Sequence, residues 1–235
     1  MRDGSDPPVI AIDGPGGSGK GTVSGRLAGR LGYHLLDSGA LYRLTALAAR
    51  EAGVDLGNVA AVTDLAAGLD ARFEAGAENE PARVFLGDRD VDDAVRSEGC
   101  GNDASVIAAY GEVRRALIGC QRAFRRPPGL VADGRDMGTV VFPDAAVKIF
   151  LTASPEERAR RRHKQLIAKG INGSLPTLVR EIETRDERDR KRAVAPLKPA
   201  DDAVVVDTSG HDIDSVFNRV LDIVTSSGLL KDPRR

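Results

Sequence analysis

The nine residues GPGGSGKGT, at positions 14–22, decide the fold of this 235-residue chain. They follow the apolar run Val9 to Ile12, which is typical of a strand buried on both faces of a parallel sheet. From Gly21 the apolar residues are spaced four apart, a helical pattern that ends at Gly32. A GxxxxGK loop between a strand and a helix is typical of a P-loop, which binds phosphate groups.

The residue types in this loop suit a phosphate ligand. Glycines let the backbone turn so that several N–H groups point inward, and the following helix adds its positive end. Lys20 adds a mobile positive charge over the β and γ phosphates. A glycine-rich turn without a ligand is the alternative. We predict that ATP binds here, through Gly14, Pro15, Gly16, Gly17, Ser18, Gly19, Lys20, Gly21 and Thr22.

The position after Lys20 separates this loop from many other P-loops. Many carry there the Ser or Thr that holds Mg²⁺, whereas this chain has Gly21 followed by Thr22. We therefore expect no protein ligand set for the metal, and Mg²⁺ held mainly by phosphates and waters. Asp133, at the end of a later buried strand, either orders a metal-bound water or caps the next turn, and both interpretations stay open.

Strand and helix patterns alternate along the rest of the chain. Short apolar runs predict strands at residues 33–36, 130–132, 147–151 and 204–206. Helical spacing predicts helices at residues 41–52, 59–68, about 104–124 and 213–226. This alternation predicts an α/β fold whose core has three layers around a parallel sheet.

A small lobe interrupts that core. Strand-like runs separated by Gly and Asp turn signals predict a small antiparallel sheet, at residues 69–74, 83–86 and 89–91. We therefore predict an inserted lobe at residues 65–104 and a P-loop core made of residues 1–64 and 105–235. Within the core, residues from about 157 to 192 are predicted to form a helical lid.

Composition argues against several classes of protein. The 34 basic and 35 acidic side chains nearly cancel, and three Tyr, six Phe and no Trp provide few stacking surfaces, so we expect no nucleic-acid partner. Cys100 and Cys120 have neither disulfide-framework nor zinc spacing and fit a reducing cytosol. The four-residue apolar run near the amino terminus is too short to span a membrane. We expect a cytoplasmic, monomeric protein without a membrane partner.

Three polar blocks are further candidates for a ligand site: residues 37–43, 133–139 and 185–197. Ligands of such folds bind at the carboxyl ends of the parallel strands, where we expect these blocks to lie. Each has a purely structural alternative. Asp37 is an ordinary helix N-cap, the second block can be a salt-bridged turn, and the third a solvated helix face with ion pairs such as Arg185 with Asp189.

Phosphoryl transfer favours a functional role for the basic segment. The reaction needs positive charge around the migrating group and little covalent chemistry. Several Arg side chains on a mobile segment can close over the phosphates and exclude water. We expect this of Arg158, Arg161 and Arg162, and we assign the first two to ATP binding.

Four blocks together resemble the bacterial cytidylate kinases, and they lie at residues 14–22, 36–43, 132–142 and 185–197. The similarity runs from about Val9 to Val224. The small lobe also fits, because that family is similar to adenylate kinase but has an enlarged monophosphate-binding region. The resemblance implies an ATP-dependent enzyme that converts CMP or dCMP to CDP or dCDP.

The resemblance also implies which residues bind each part of the substrate. The cytosine is expected to contact Ser38, Ser105 and Asp136, with Arg135 close by. The acceptor phosphate is expected to contact Arg43 and Arg114, and Tyr42 belongs to the same substrate site. The sugar is expected to contact Arg185 and Asp189, and Arg192 to reach the phosphates when the lid is closed. The residues expected to act in the transfer itself are Lys20, Asp133, Arg185 and Arg192.

Hydrogen bonding explains a preference for cytosine over uracil. The exocyclic amine of cytosine donates, while its carbonyl and N3 accept, and Asp136, Ser38 and Arg135 offer both kinds of partner. Uracil has an acceptor in place of the amine and leaves a buried partner unpaired.

Two other functions share the P-loop. A kinase for UMP, AMP or a metabolite hydroxyl would not need the blocks DSGALYR and ADGRDMGT. A switch of the GTPase type is disfavoured, because the chain lacks an NKxD base-reading motif and Gly21 replaces the usual Mg²⁺ hydroxyl.

Overall fold

The computed structural model describes residues 6–74, 83–168 and 170–229. Its strands are β1 (Val9–Asp13), β2 (His34–Asp37), β3 (Ala71–Glu74), β4 (Arg83–Leu86), β5 (Arg89–Asp90), β6 (Leu130–Gly134), β7 (Val147–Thr152) and β8 (Val204–Asp207). Its helices are α1 (Lys20–Leu31), α2 (Ser38–Glu51), α3 (Val59–Ala67), α4 (Asp92–Arg96), α5 (Glu98–Ile107), α6 (Gly111–Ala123), α7 (Pro155–Ala168), α8 (Leu175–Lys191) and α9 (Ile213–Ser226). A π-helical turn spans Met137–Val141.

The central sheet has five parallel strands in the order β2-β6-β1-β7-β8. Successive side chains of a strand point to opposite faces, so Val9 and Ala11 pack on one side of the sheet while Ile10 and Ile12 pack on the other. Helices α2, α3 and α6 cover the first face, and α1 and α9 cover the second. The predicted three-layer α/β core is confirmed.

Strand register brings three carboxylates together at the edge of this sheet where the parallel strands end. Asp37 of β2 is the register partner of Asp133 of β6, and Asp13 of β1 is the partner of Gly134. All three positions are at the carboxyl ends of neighbouring strands. The P-loop and the polar block after β6 therefore start from the same edge.

The helix predicted at about 104–124 is wrong, because the chain forms α5 and α6 with a break between them. Tyr110 is extended, with φ −80° and ψ 119°, and α6 begins at Gly111. The last carbonyls of a helix lack partners within it. The break leaves the Ala108 carbonyl free to accept from Arg114 Nη1 at 3.2 Å and from Arg192 Nη1 at 3.5 Å.

The predicted antiparallel sheet in the inserted lobe is present as β3-β4-β5. Its Val84, together with Val95 and Cys100 from the helices that follow, belongs to the same apolar cluster as Leu36 and Leu130 of the central sheet. The lobe thus shares its hydrophobic core with the rest of the chain. The division into a lobe at 65–104 and a core stays a prediction, and residues 75–82 lie outside the described part.

Helices α7 and α8 form the basic hairpin predicted as a lid, and they pack through their own small cluster of Ala159, Leu166 and Leu178. Cys100 and Cys120 are free thiols. Among the described residues, no helix is long and apolar enough to cross a membrane.

Candidate functional site

The P-loop joins β1 to α1 in a backbone conformation that needs glycine. Gly14 has φ 148°, and a β-carbon there would lie 1.9 Å from the carbonyl oxygen of Leu151. Lys20 begins α1 and is only 5% exposed. Its Nζ donates to the Pro15 carbonyl at 2.9 Å, so the loop is wrapped around the ammonium group.

Burial raises the free energy of the charged forms of the side chains at this loop. Lys20 Nζ lies 3.9 Å from Asp133 Oδ1. Burial, helped by the positive charge of Arg135, lowers the pKa of Lys20 to about 8. Burial raises the pKa of Asp133 to about 7, although Lys20 opposes that rise. A phosphate placed beside Lys20 would stabilise its charged form.

The arginines predicted to bind ATP lie against the P-loop. Arg161 donates to the hydroxyl and carbonyl oxygens of Thr208, at 3.0 and 2.6 Å, and the Thr208 hydroxyl donates to the Ser18 carbonyl at 3.1 Å. Arg158 Nη1 donates to the Gly16 carbonyl at 3.1 Å. ATP binding by these side chains stays a prediction.

A buried ion pair forms the centre of the predicted base site. Asp136 and Arg114 are 2% and 5% exposed, and their side chains are hydrogen-bonded to each other. The Arg114 guanidinium carbon lies 5.6 Å from the centre of the Tyr42 ring, within the range of a cation–π interaction. Burial raises the pKa of Tyr42 to about 12, so the phenol stays protonated at neutral pH.

The two predicted serine ligands are each held by a neighbouring side chain. Ser38 Oγ accepts from Gln121 Nε2 at 2.9 Å, and Ser105 Oγ accepts from Arg188 Nη1 at 3.0 Å. In both cases the serine keeps its own hydroxyl proton for another acceptor.

Helix α8 brings Asp189 to the block after β6. Asp189 Oδ2 accepts from Arg135 Nε at 3.1 Å, and Arg192 Nη2 lies 3.9 Å from Asp189 Oδ1. Burial would raise the pKa of Asp189, but Arg135, Arg192 and Arg185 together hold it below its ordinary value. The predicted ion pair between Arg185 and Asp189 is absent from this described helix, and the acid pairs across the site instead.

Two buried guanidinium nitrogens provide a test of whether phosphates fit here. Arg185 Nε and Arg192 Nη2 have no hydrogen-bond partner among the described residues. Burial and the neighbouring charge of Arg135 lower the pKa of Arg185 to about 10. Buried donors of this kind suit an anionic ligand with several acceptor oxygens, which is the chemistry of a phosphate group.

Three other predicted side chains have mainly protein partners. Asp37 Oδ1 accepts from the Ala40 amide at 2.9 Å, which confirms the N-cap interpretation. Arg43 Nη1 donates to the carbonyls of Val95 and Ser97, at 2.5 and 3.3 Å. Arg162 pairs with Glu98 on α5.

Metal binding by protein groups alone is not supported in the described ranges, where no cluster of three or more His, Cys, Asp or Glu side chains could hold an ion. Asp133 is the side chain predicted from the sequence to order a metal-bound water, and that role stays a prediction. A phosphate-bound and hydrated ion fits this donor set better than a protein-chelated one.

Sequence reasoning gave no individual role to four side chains of the site: Asp13 and Gln121, which lie outside the predicted blocks, and Asp186 and Arg188, which lie within the block 185–197. Asp13 carries a signal that could have been used, since it is an acid at the end of an otherwise apolar, fully buried strand. Its Oδ1 and Oδ2 accept from the amides of Met137 and Gly138, both at 2.8 Å. Asp13 therefore holds the turn that follows Asp136.

Asp13 is expected to make stability depend on pH between about 6 and 4. Burial, opposed in part by the two amide hydrogen bonds, raises its pKa from 3.8 to about 6. The folded protein then binds a proton that the unfolded chain does not bind until lower pH, so stability rises as pH falls through this window. Relative to Asp13→Asn, the wild type should gain up to about 3 kcal/mol in the free energy of unfolding.

Urea unfolding of both proteins at several pH values between 4 and 8 checks this expectation. A difference in stability that does not vary with pH would contradict the prediction.

Comparison with known proteins gives matches over nearly the whole chain. The family described as Cytidylate kinase matches residues 10–226. A cytidylate kinase of Pseudomonas savastanoi pv. phaseolicola is 59% identical over 222 residues, which cover 94% of this chain and 97% of that protein. A cytidylate kinase of Nitrosococcus oceani is 58% identical over 214 residues, which cover 91% and 94%.

A solved structure supports the fold alone. The crystal structure of an uncharacterized protein from Eubacterium ventriosum is 11% identical, covers 93% of this chain and 98% of that one, and has a TM-score of 0.51. The family match and the two relatives carry the assignment, and on that basis the chain belongs to the cytidylate kinase family.

Proposed function

We propose that this protein transfers the γ phosphate of ATP to CMP or dCMP, giving CDP or dCDP. Membership in the cytidylate kinase family supports an ATP-dependent phosphotransferase. The observation that carries the proposal is that the P-loop follows β1 and Asp136 follows the adjacent strand β6, where it pairs with the buried Arg114 of α6. A donor nucleotide and an acceptor nucleotide can therefore bind side by side.

On the donor side, the loop amides and Lys20 bind the β and γ phosphates. The buried donors of Arg185 and Arg192 stabilise charge on the migrating phosphoryl group, and no side chain needs to act as a nucleophile. Mg²⁺, held mainly by phosphates and waters with Asp133 ordering a water, would neutralise phosphate charge.

On the acceptor side, the Asp136 carboxylate accepts from the exocyclic amine of cytosine. Ser38 and Ser105 each accept a hydrogen bond from the protein, so each can donate its own proton to an acceptor on the substrate. Uracil has a carbonyl where cytosine has its amine. A carbonyl and a carboxylate are both acceptors, so uracil cannot form this hydrogen bond with Asp136. Arg43 and Arg114 bind the acceptor phosphate, and Arg185 and Asp189 bind the sugar.

We assign residues 65–104 to monophosphate binding and residues 157–192 to the lid. We further propose a monomer that acts in the cytoplasm without nucleic-acid or membrane partners. The free thiols Cys100 and Cys120 suit a reducing compartment, and light scattering of the purified protein tests the monomer.

CMP and dCMP are expected to be turned over far faster than UMP or AMP. An unpaired buried polar partner supports a kcat/KM ratio of about a hundredfold or more. Coupled ADP release with ATP and Mg²⁺, measured for each acceptor in turn, checks this expectation. Equal turnover of UMP and CMP would overturn the proposed base preference, and slow GTP hydrolysis without acceptor dependence would favour a switch protein.

A further inference from the structure

A second buried ion pair joins the two lid helices. Arg158 of α7 and Asp186 of α8 are 2% and 5% exposed. Arg158 Nη1 donates to Asp186 Oδ1 at 3.0 Å, and Nη2 donates to Oδ2. The pair is therefore bidentate, a geometry that fixes orientation as well as distance.

The same guanidinium also reaches the P-loop. Besides its bond to Asp186, Nη1 donates to the Gly16 carbonyl at 3.1 Å, and Nε donates to the Ala153 carbonyl at 3.0 Å. The Arg158 β-carbon lies 3.2 Å from the position that a β-carbon on Gly17 would take. All three guanidinium nitrogens thus have protein partners, and the side chain links α8 to the P-loop.

Arg185 precedes Asp186 and lies against the same glycine. Its Nη1 is 3.8 Å from the position of a β-carbon on Gly16, the residue whose carbonyl Arg158 binds. The contact that holds α8 to α7 directly beside Arg185 is the pair of hydrogen bonds that Arg158 donates to Asp186.

We propose that Asp186 is a positioning residue, which acts through Arg158 to hold α8 on the P-loop and to place Arg185 beside the transferring phosphate. The inference rests on the proposed function. A buried ion pair is weak evidence for stability, because desolvation offsets most of its attraction. The bidentate pair, together with the hydrogen bond from Arg158 to the Gly16 carbonyl, is better explained by the need to place a neighbouring charge accurately.

The test combines Asp186→Asn with Arg185→Ala. Asp186→Asn is expected to lower kcat about tenfold to a hundredfold, with a much smaller change in the KM for CMP, because misplacement of a charge acts on the transition state. If Asp186 acts through Arg185, the double variant loses no more activity than Arg185→Ala alone. Glu187→Gln is the control, since Glu187 is exposed and pairs only with Lys191 among the described residues.

The inference would be overturned if the fold-losses in kcat of the two single variants multiply in the double variant. An unchanged kcat in Asp186→Asn would also overturn it. Asp186→Glu provides a second route if Asp186→Asn folds poorly, since it keeps the negative charge, shifts the carboxylate out of its bidentate geometry with Arg158 and should show the same non-additivity with Arg185→Ala. A wild-type protein with no acceptor-dependent turnover would instead contradict the proposed function. Thermal unfolding of every variant checks that activity is compared between folded proteins.

Discussion

Replacing Lys20 with alanine is expected to lower kcat for CMP phosphorylation by about a thousandfold or more. Its ammonium group is a positive charge enclosed by the P-loop, where it donates to the Pro15 carbonyl. Charge placed in advance in a site that excludes water stabilises the transition state far more than it would in water. Coupled ADP release at saturating ATP and CMP measures the effect.

The same substitution should cost little stability. Burial lowers the pKa of Lys20, which means that the folded protein holds its charge at a cost. Lys191→Ala is the matched control, because that side chain is 76% exposed and lies on the lid helix. Activity within tenfold of wild type in Lys20→Ala would contradict the assigned role.

Asp136→Asn is expected to impair both stability and CMP binding. The variant leaves the buried charge of Arg114 without its counter-charge, which typically costs about 3 kcal/mol or more. For a chain of this size, that loss corresponds to a fall in Tm of about 6–12 °C. Loss of a charged hydrogen-bond acceptor should also lower kcat/KM for CMP about tenfold to a hundredfold.

Asp202→Asn is the control for this experiment, since Asp202 pairs with Lys148 but is 66% exposed. Solvent screens the charge of this exposed carboxylate, so the control should melt close to the wild type. Calorimetry and steady-state kinetics on both variants make the comparison. If Asp136→Asn and Asp202→Asn behave alike, the buried pair has no special role.

Local patterns were enough to predict most of the fold. The five core strands lie within one or two residues of their predicted positions, because each is a short apolar run stopped by a polar or glycine residue. Helix α9 has its predicted bounds. The break at residues 108–110 was missed because helical spacing of apolar residues continues across it, and the bonds that Arg114 and Arg192 make to the freed Ala108 carbonyl leave no local pattern.

The site was predictable as a set of blocks but not as a network. Asp13 and Asp186 were missed because their partners lie 124 and 28 residues away in sequence. The solvated-face interpretation of residues 185–192 is wrong for Asp186 and Asp189, which are buried and pair with Arg158 and Arg135. Charge alternation along a helix indicates ion pairs, but it does not say whether the partners lie on the same helix.

The strand order of the central sheet also has a consequence for synthesis on the ribosome. β1 is made first, yet both of its neighbours, β6 and β7, begin only at Leu130 and Val147. A nascent chain that has not yet emerged to that point leaves the apolar residues of β1 without a sheet. The P-loop is therefore among the first segments translated, yet β1 can complete its pairing only after β7 has been made, and until then its apolar residues favour aggregation.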